Sequence, residues 1–114
     1  MLKEINSKNH HCFIDENDNY QGENRYQYDT GPCYRVLYHN GKMHGEGILY
    51  DVNDKIHEHV FFVNDTLIHN QLKNPLSDDE LLLLCIEHGI KRLPNIPNFP
   101  EFWKGRMCLF GKAC

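Results

Sequence analysis

Leu37-Tyr38-His39-Asn40-Gly41-Lys42-Met43-His44-Gly45-Glu46-Gly47-Ile48-Leu49-Tyr50 reads as a β-hairpin. The run from Tyr34 to His39 leads into Asn40-Gly41, a dipeptide that favours a type I′ turn because both residues tolerate positive φ. A return strand is expected from about Glu46 to Tyr50. Gly45 and Gly47, two residues apart, are expected to project from one strand face, where a ring or a neighbouring backbone can approach closely.

Moving outward from this hairpin, a repeat emerges. Asn17, Gly22 and Glu23 coincide with Asn40, Gly45 and Glu46 at an offset of 23. A shift of 24 brings Asn40-Gly41 onto Asn64-Asp65. Turn signals such as Asp29-Thr30-Gly31 and Asn53-Asp54 keep the same rhythm. Between them, Lys55 to Val63 is rich in β-branched and aromatic residues, and Asn64-Asp65 turns into Thr66 to His69. Hairpins laid side by side make an antiparallel meander of about six strands from Phe13 to His69. Along Ile56 to Val63, the set Ile56, Glu58, Val60 and Phe62 competes with His57, His59, Phe61 and Val63, so pattern alone leaves the buried face undecided.

The 37–50 segment resembles a MORN repeat in its aromatic, its Asn-Gly-Lys, its His-Gly-x-Gly and its closing aromatic. Flanking copies from Phe13 and from Val60 are degenerate, and the first has Asn24 at the second glycine position. The resemblance implies an elongated sheet of hairpins whose glycines and aromatics are structural. It also implies a scaffold or binding surface, in some members at membranes.

The C-terminal third has a different character. Ser77-Asp78-Asp79-Glu80 ahead of Leu81-Leu82-Leu83-Leu84 is a capping box, and Gly89 suits a helix C-terminus, predicting a helix over 78–88. Its middle is apolar all round, so one side can pack on the sheet while the other needs the tail, a second copy or a partner. Pro94, Pro97 and Pro100 favour an extended path, and Phe99, Phe102, Trp103, Met107, Leu109 and Phe110 follow in a basic context. The expected organisation is one α+β domain over 1–114: a meander at 13–70, a helix at 77–89 and a tail at 94–114 packed on the domain.

Charge divides the 114 residues unevenly. Residues 13–90 hold 14 acids against five bases, whereas 91–114 hold five bases against Glu101. An acidic body repels phosphate, which argues against direct nucleic-acid binding and for a basic protein partner. The longest apolar run, Leu81 to Ile86, is six residues, far short of the ~18 a membrane helix needs. Residues 1–12 show no signal-peptide core and the five cysteines show no framework spacing, so the chain reads as cytoplasmic with reduced thiols.

Candidate chemistry is sparse. His57 and His59 share a strand face at a spacing zinc sites use, Cys85 and His88 stand one helical turn apart, and His10-His11-Cys12 forms a third group. No close Cys pair accompanies them, so no metal or cofactor is expected and His57 and His59 are the weak candidates. Cys33, after Gly31-Pro32, is the thiol expected in an exposed turn. No Walker loop, nucleophile elbow or H-E-x-x-H occurs, and no catalytic residue is assigned.

The expected function is a non-enzymatic interaction module, an adaptor or small inhibitor of a larger protein, one form of which is an inhibitor whose acidic face blocks a nucleic-acid-binding surface. Its expected contacts are an acidic sheet face (Asp15, Glu16, Asp18, Glu23, Asp51, Asp54, Glu58) and the tail residues Phe102, Trp103 and Arg106. The alternatives are a metal-binding protein or hydrolase built on His57 and His59, and a homo-oligomeric structural module such as a homodimer.

Overall fold

The structure is a computed structural model describing residues 1–53 and 55–94. The expectations placed on Asp54, and on the tail with Phe102, Trp103 and Arg106, lie outside the described residues.

Seven strands pair strictly with their sequence neighbours: β1 (Lys3–Asn6), β2 (His10–Ile14), β3 (Gly22–Gln27), β4 (Cys33–His39), β5 (Lys42–Tyr50), β6 (Ile56–Val63) and β7 (Thr66–Asn70). All pairings are antiparallel. The meander therefore starts earlier than the predicted Phe13. Strand β1 escapes a hydropathy reading because Lys3, Glu4 and Asn6 surround its single apolar residue, Ile5, as suits a charged edge. Strand β5 also begins at Lys42, before the expected Glu46, because the tight turn at Asn40 (φ 52°) and Gly41 (φ 81°) pairs His39 directly with Lys42.

Alternate reversals gather the turns at the two ends of the sheet. The β2–β3, β4–β5 and β6–β7 turns share one end, laced by Gly41 N–H donating to Tyr20 O (3.0 Å) and Asp65 N–H donating to Met43 O (2.8 Å). Asn64 and Asp65 in the last of these also carry positive φ.

Helix α1 (Asp78–His88) has the predicted ends. Ser77 Oγ accepts from Glu80 N–H, the Glu80 carboxylate accepts from Ser77 N–H, and Gly89 closes the helix at φ 64°. Leu81 and Cys85 pack with Phe61 and Ile90, supported by Val63, Ile68, Leu76 and Leu84. A second cluster joins Leu93 to Cys33, Ile48 and Tyr50. Each large apolar side chain so buried stabilises the fold by roughly 1.5–3 kcal/mol. One sheet face is thus covered by α1 and residues 89–94. His59, Phe61 and Val63 belong to that side, while Glu58, Val60 and Phe62 line the other. Ile56 joins the covered cluster despite its parity, because the register shifts at Leu49/Tyr50.

Two expectations fail here. Cys33 opens β4 and is only 1% exposed, since the turn before it closes over the core. Gly45 and Gly47 face opposite sides of the sheet. Val36 pairs with Gly47 but Tyr38 with Met43, so Leu37 stands against a bulge of three residues, His44 to Glu46. A Cβ on Gly45 (φ 125°) would lie 3.0 Å from Lys91 O and 3.1 Å from Leu37, on the covered face. One on Gly47 would meet Val36 (3.2 Å) and Phe62 (3.6 Å) on the other. Replacing Gly45 by Ala is expected to cost about 2 kcal/mol, from left-handed strain together with a backbone clash that cannot relax. Urea unfolding of the G45A variant checks this; an unchanged midpoint would mean that the bulge tolerates a side chain.

Candidate functional site

Glu46 follows Gly45 at the bulge and points inward, on the same strand face as Ile48 and Tyr50 and opposite Phe61 of β6. Its side chain is fully buried on the covered face, where it is met by donors from two directions. His59, across the strand pair on β6, shares a short hydrogen bond with Oε2. Arg92 donates from Nη2 (3.1 Å) and Nε (3.3 Å), and Leu93 N–H donates to Oε1 (2.8 Å). Glu46 N–H in turn donates to Lys91 O (3.0 Å). Burial by itself pushes the Glu46 carboxyl up, but the bonds from His59, Arg92 and Leu93 outweigh it and hold the group below the usual carboxylate range.

Glu23, the equivalent residue one repeat earlier, is held in the same way. It follows Gly22, another positive-φ glycine, and accepts from Arg25 Nε (2.6 Å) and Nη2 (3.0 Å) and from Arg35 Nε (2.5 Å). Its carboxyl too is pushed up by burial, then pulled lower by the two arginines. Arg35 is itself fully buried and donates from Nη2 to Pro94 O (2.7 Å). The repeat therefore places two carboxylates that clamp strand to strand and, through Lys91 to Pro94, clamp the covering segment to the sheet. Sequence reading had assigned Glu23 to a partner surface. The recoverable signal was the Gly-Glu pair shared by both copies, each with a nitrogen-bearing donor residue, Arg35 or His59, 12 or 13 positions later.

The opposite face is aromatic. Tyr26 and Tyr34, directly paired across β3 and β4, stack at 5.8 Å with an interplanar angle of 20°. Tyr28 meets Tyr26 edge-on at 5.2 Å, and Tyr20 meets Tyr38 likewise at 5.2 Å. Three of these rings, Tyr28, Tyr34 and Tyr38, line a trough of about 320 Å³ with Val36, Leu49, Val60 and Phe62, and Glu58 lines it too. Burial, then the neighbouring tyrosines, push the Tyr34 hydroxyl up; Tyr38 is raised by burial first as well. Both therefore remain neutral O–H donors at physiological pH. Sequence reading missed the trough, although Tyr26-x-Tyr28 and Tyr34-x-Val36-x-Tyr38 alternate as strand faces do. A second hollow of about 360 Å³ lies at the turn end, between His39, His44 and Lys91.

The predicted acidic contacts do not form one face. Asp15 is spent on its turn, accepting from Asn17 N–H (2.8 Å), Asn19 N–H (3.0 Å) and Gln21 Nε2 (2.9 Å); Asp18 and Glu16 share that turn, with Glu16 bonded to the N-terminal amine. Asp51 caps the β5–β6 turn at the other end of the sheet. Of the described members of the set, Glu58 alone lines the trough. His57 is exposed whereas His59 is committed to Glu46, and Cys85 is buried whereas His88 is exposed. Among the described residues no three His, Cys, Asp or Glu side chains are grouped to hold a metal ion, and no helix is long and apolar enough to cross a membrane.

Comparison with protein-family models, with curated proteins and with solved structures returns no match.

Since folding lowers the pKa values of Glu46 and Glu23, their contribution to stability is present above the unfolded value of about 4.3 and is lost as pH falls through the lower folded values. Glu46→Gln is expected to cost about 3 kcal/mol at neutral pH, because it leaves Arg92 and the Leu93 N–H poorly matched. The gap from wild type should shrink at pH 3. Denaturant unfolding at both pH values checks it, and an equal loss at each would assign the cost to shape alone.

Proposed function

We propose that this protein is a non-enzymatic interaction module, an adaptor or small inhibitor, that grips a larger protein in the tyrosine trough. The supporting observation is the asymmetry of the sheet. One face is closed by α1 and residues 89–94, while the other gathers five tyrosines with Val36, Leu49, Val60 and Phe62. Tyrosine offers a rigid apolar ring and a hydroxyl donor at low entropic cost, which is why it concentrates in binding hot spots.

The partner's chemistry follows from the same residues. Ring faces accept cations, Glu58 stands among them, and the chain carries a net charge of −4. The matching surface presents apolar side chains beside Lys or Arg. A nucleic-acid-binding protein is one source of such a surface, and occluding its basic groove would inhibit it. The resemblance of residues 37–50 to a MORN repeat agrees with a binding-surface role.

Affinity capture from the native cell, repeated with single variants, tests this reading. Tyr34→Ala should reduce recovery of the captured partner about tenfold or more, corresponding to roughly 1.4 kcal/mol or above. Glu58→Lys should weaken capture most at low salt. Unchanged recovery with both folded variants would move binding off the trough.

A further inference from the structure

The hollow of about 360 Å³ at the turn end of the sheet has a lining unlike that of the trough. Its size falls in the roughly 300–1,000 Å³ range of small-molecule pockets. Leu37 and Ile90 give it apolar walls, and Gln21, His39, His44 and Lys91 give it polar ones. Among the described residues no Asp or Glu lines it. Three elements meet there: His39 ends β4, His44 lies in the β5 bulge, and Lys91 belongs to the segment after α1. The two imidazole rings stand 5.7 Å apart.

Hydrogen bonds assign the hydrogen on each ring. Asn64 N–H donates to His44 Nδ1 (3.1 Å), so His44 Nε2 bears the hydrogen and is a donor. A relay does the same for His39. The Asp15 carboxylate accepts from Gln21 Nε2 (2.9 Å), which orients that amide. Gln21 Nε2 also donates to Asn40 Oδ1 (2.8 Å), turning Asn40 Nδ2 toward His39 Nε2 (3.2 Å). That nitrogen therefore accepts, and the hydrogen of His39 sits on Nδ1. Both lone pairs are taken by protein donors, so the pair offers N–H groups and not metal ligands.

The exposed Lys91 adds an ammonium to these two donors. The negative end of α1 is answered locally, since Gly89 N–H (3.3 Å) and Ile90 N–H (3.0 Å) donate to Ile86 O and Cys85 O. One ammonium and two N–H donors match a monoanion, whereas a dianion would leave charge uncompensated in a chain of net charge −4. We propose that the hollow binds a small organic monocarboxylate. Its oxygens accept from His39 Nδ1, His44 Nε2 and the Lys91 ammonium, and its apolar body lies against Leu37 and Ile90. The hollow shares only Tyr38 with the trough, so single variants separate the two sites.

Nuclear magnetic resonance titration of the full chain at neutral pH tests the proposal, with three probes that share one alkyl body. Sodium hexanoate should shift the amides of Gly22, Gly89 and Lys91 saturably. It should bind about tenfold more tightly than hexanamide or hexyl phosphate. Lys91→Ala and His44→Phe should each weaken hexanoate about fivefold or more, with unchanged far-ultraviolet circular dichroism. Lys91 meets Glu46 through its backbone carbonyl, so its side chain can be removed without loss of that contact. Long-range hydrogen–nitrogen correlations should place the hydrogens on His39 Nδ1 and His44 Nε2. Shifts that centre elsewhere or never saturate overturn the proposal, as does unchanged affinity in both variants. Equal binding of hexanamide overturns charge recognition, and tighter binding of hexyl phosphate overturns the choice of a monocarboxylate. The opposite tautomers would remove the donors on which the site depends.

Discussion

A carboxylate buried in a sheet has to be matched by donors, and the fold is organised around meeting that requirement at Glu46. Desolvation of an unpaired carboxylate would cost more than a small domain can spare. His59 supplies one donor from the adjacent strand, whereas Arg92 and the Leu93 N–H come from the segment after the helix. That segment is therefore fixed over β4 and β5, which brings Leu93 onto Ile48 and Tyr50 and sets Ile90 against Phe61. Polar matching and apolar burial specify the same placement here. The ion pairs act mainly as a registry device: pairing largely offsets their own desolvation, and only one geometry satisfies them.

The same constraint separates the two faces by task. With Arg35, Glu46 and His59 on the covered side, the tyrosines, Val36 and Phe62 are left on the other. Covered and open faces are thus inverted relative to simple hydropathy along β4. There the inward set is Cys33, Arg35 and Leu37, and the outward set is Tyr34, Val36 and Tyr38. An aromatic surface supported by a pinned sheet is pre-organised, which lowers the entropic cost of binding.

Local chemistry made much of the architecture readable. The Asn40-Gly41 turn and the Ser77–Glu80 box depend on contacts within a few residues, and each has the predicted geometry. Helix 78–88 is found at its predicted ends for that reason. The candidate site was far less legible. Glu23 looked like a surface acid because Arg35, which buries it alongside its strand neighbour Arg25, is brought to it across the β3–β4 pair. Gly45 and Gly47 looked like one face because a period of two assumes an unbroken ladder, and the bulge at His44 to Glu46 breaks it.

By itself, the amino-acid sequence determined the meander, its turns and the capped helix, since φ preferences, capping and alternation act over short spans. Only the tertiary structure decided which face is closed and where Glu46 points. It also decided that five tyrosines share one surface. Those outcomes depend on strand pairing and on donors as distant as Arg92, 46 residues along the chain, and non-local pairing of that kind leaves no periodic trace in the sequence.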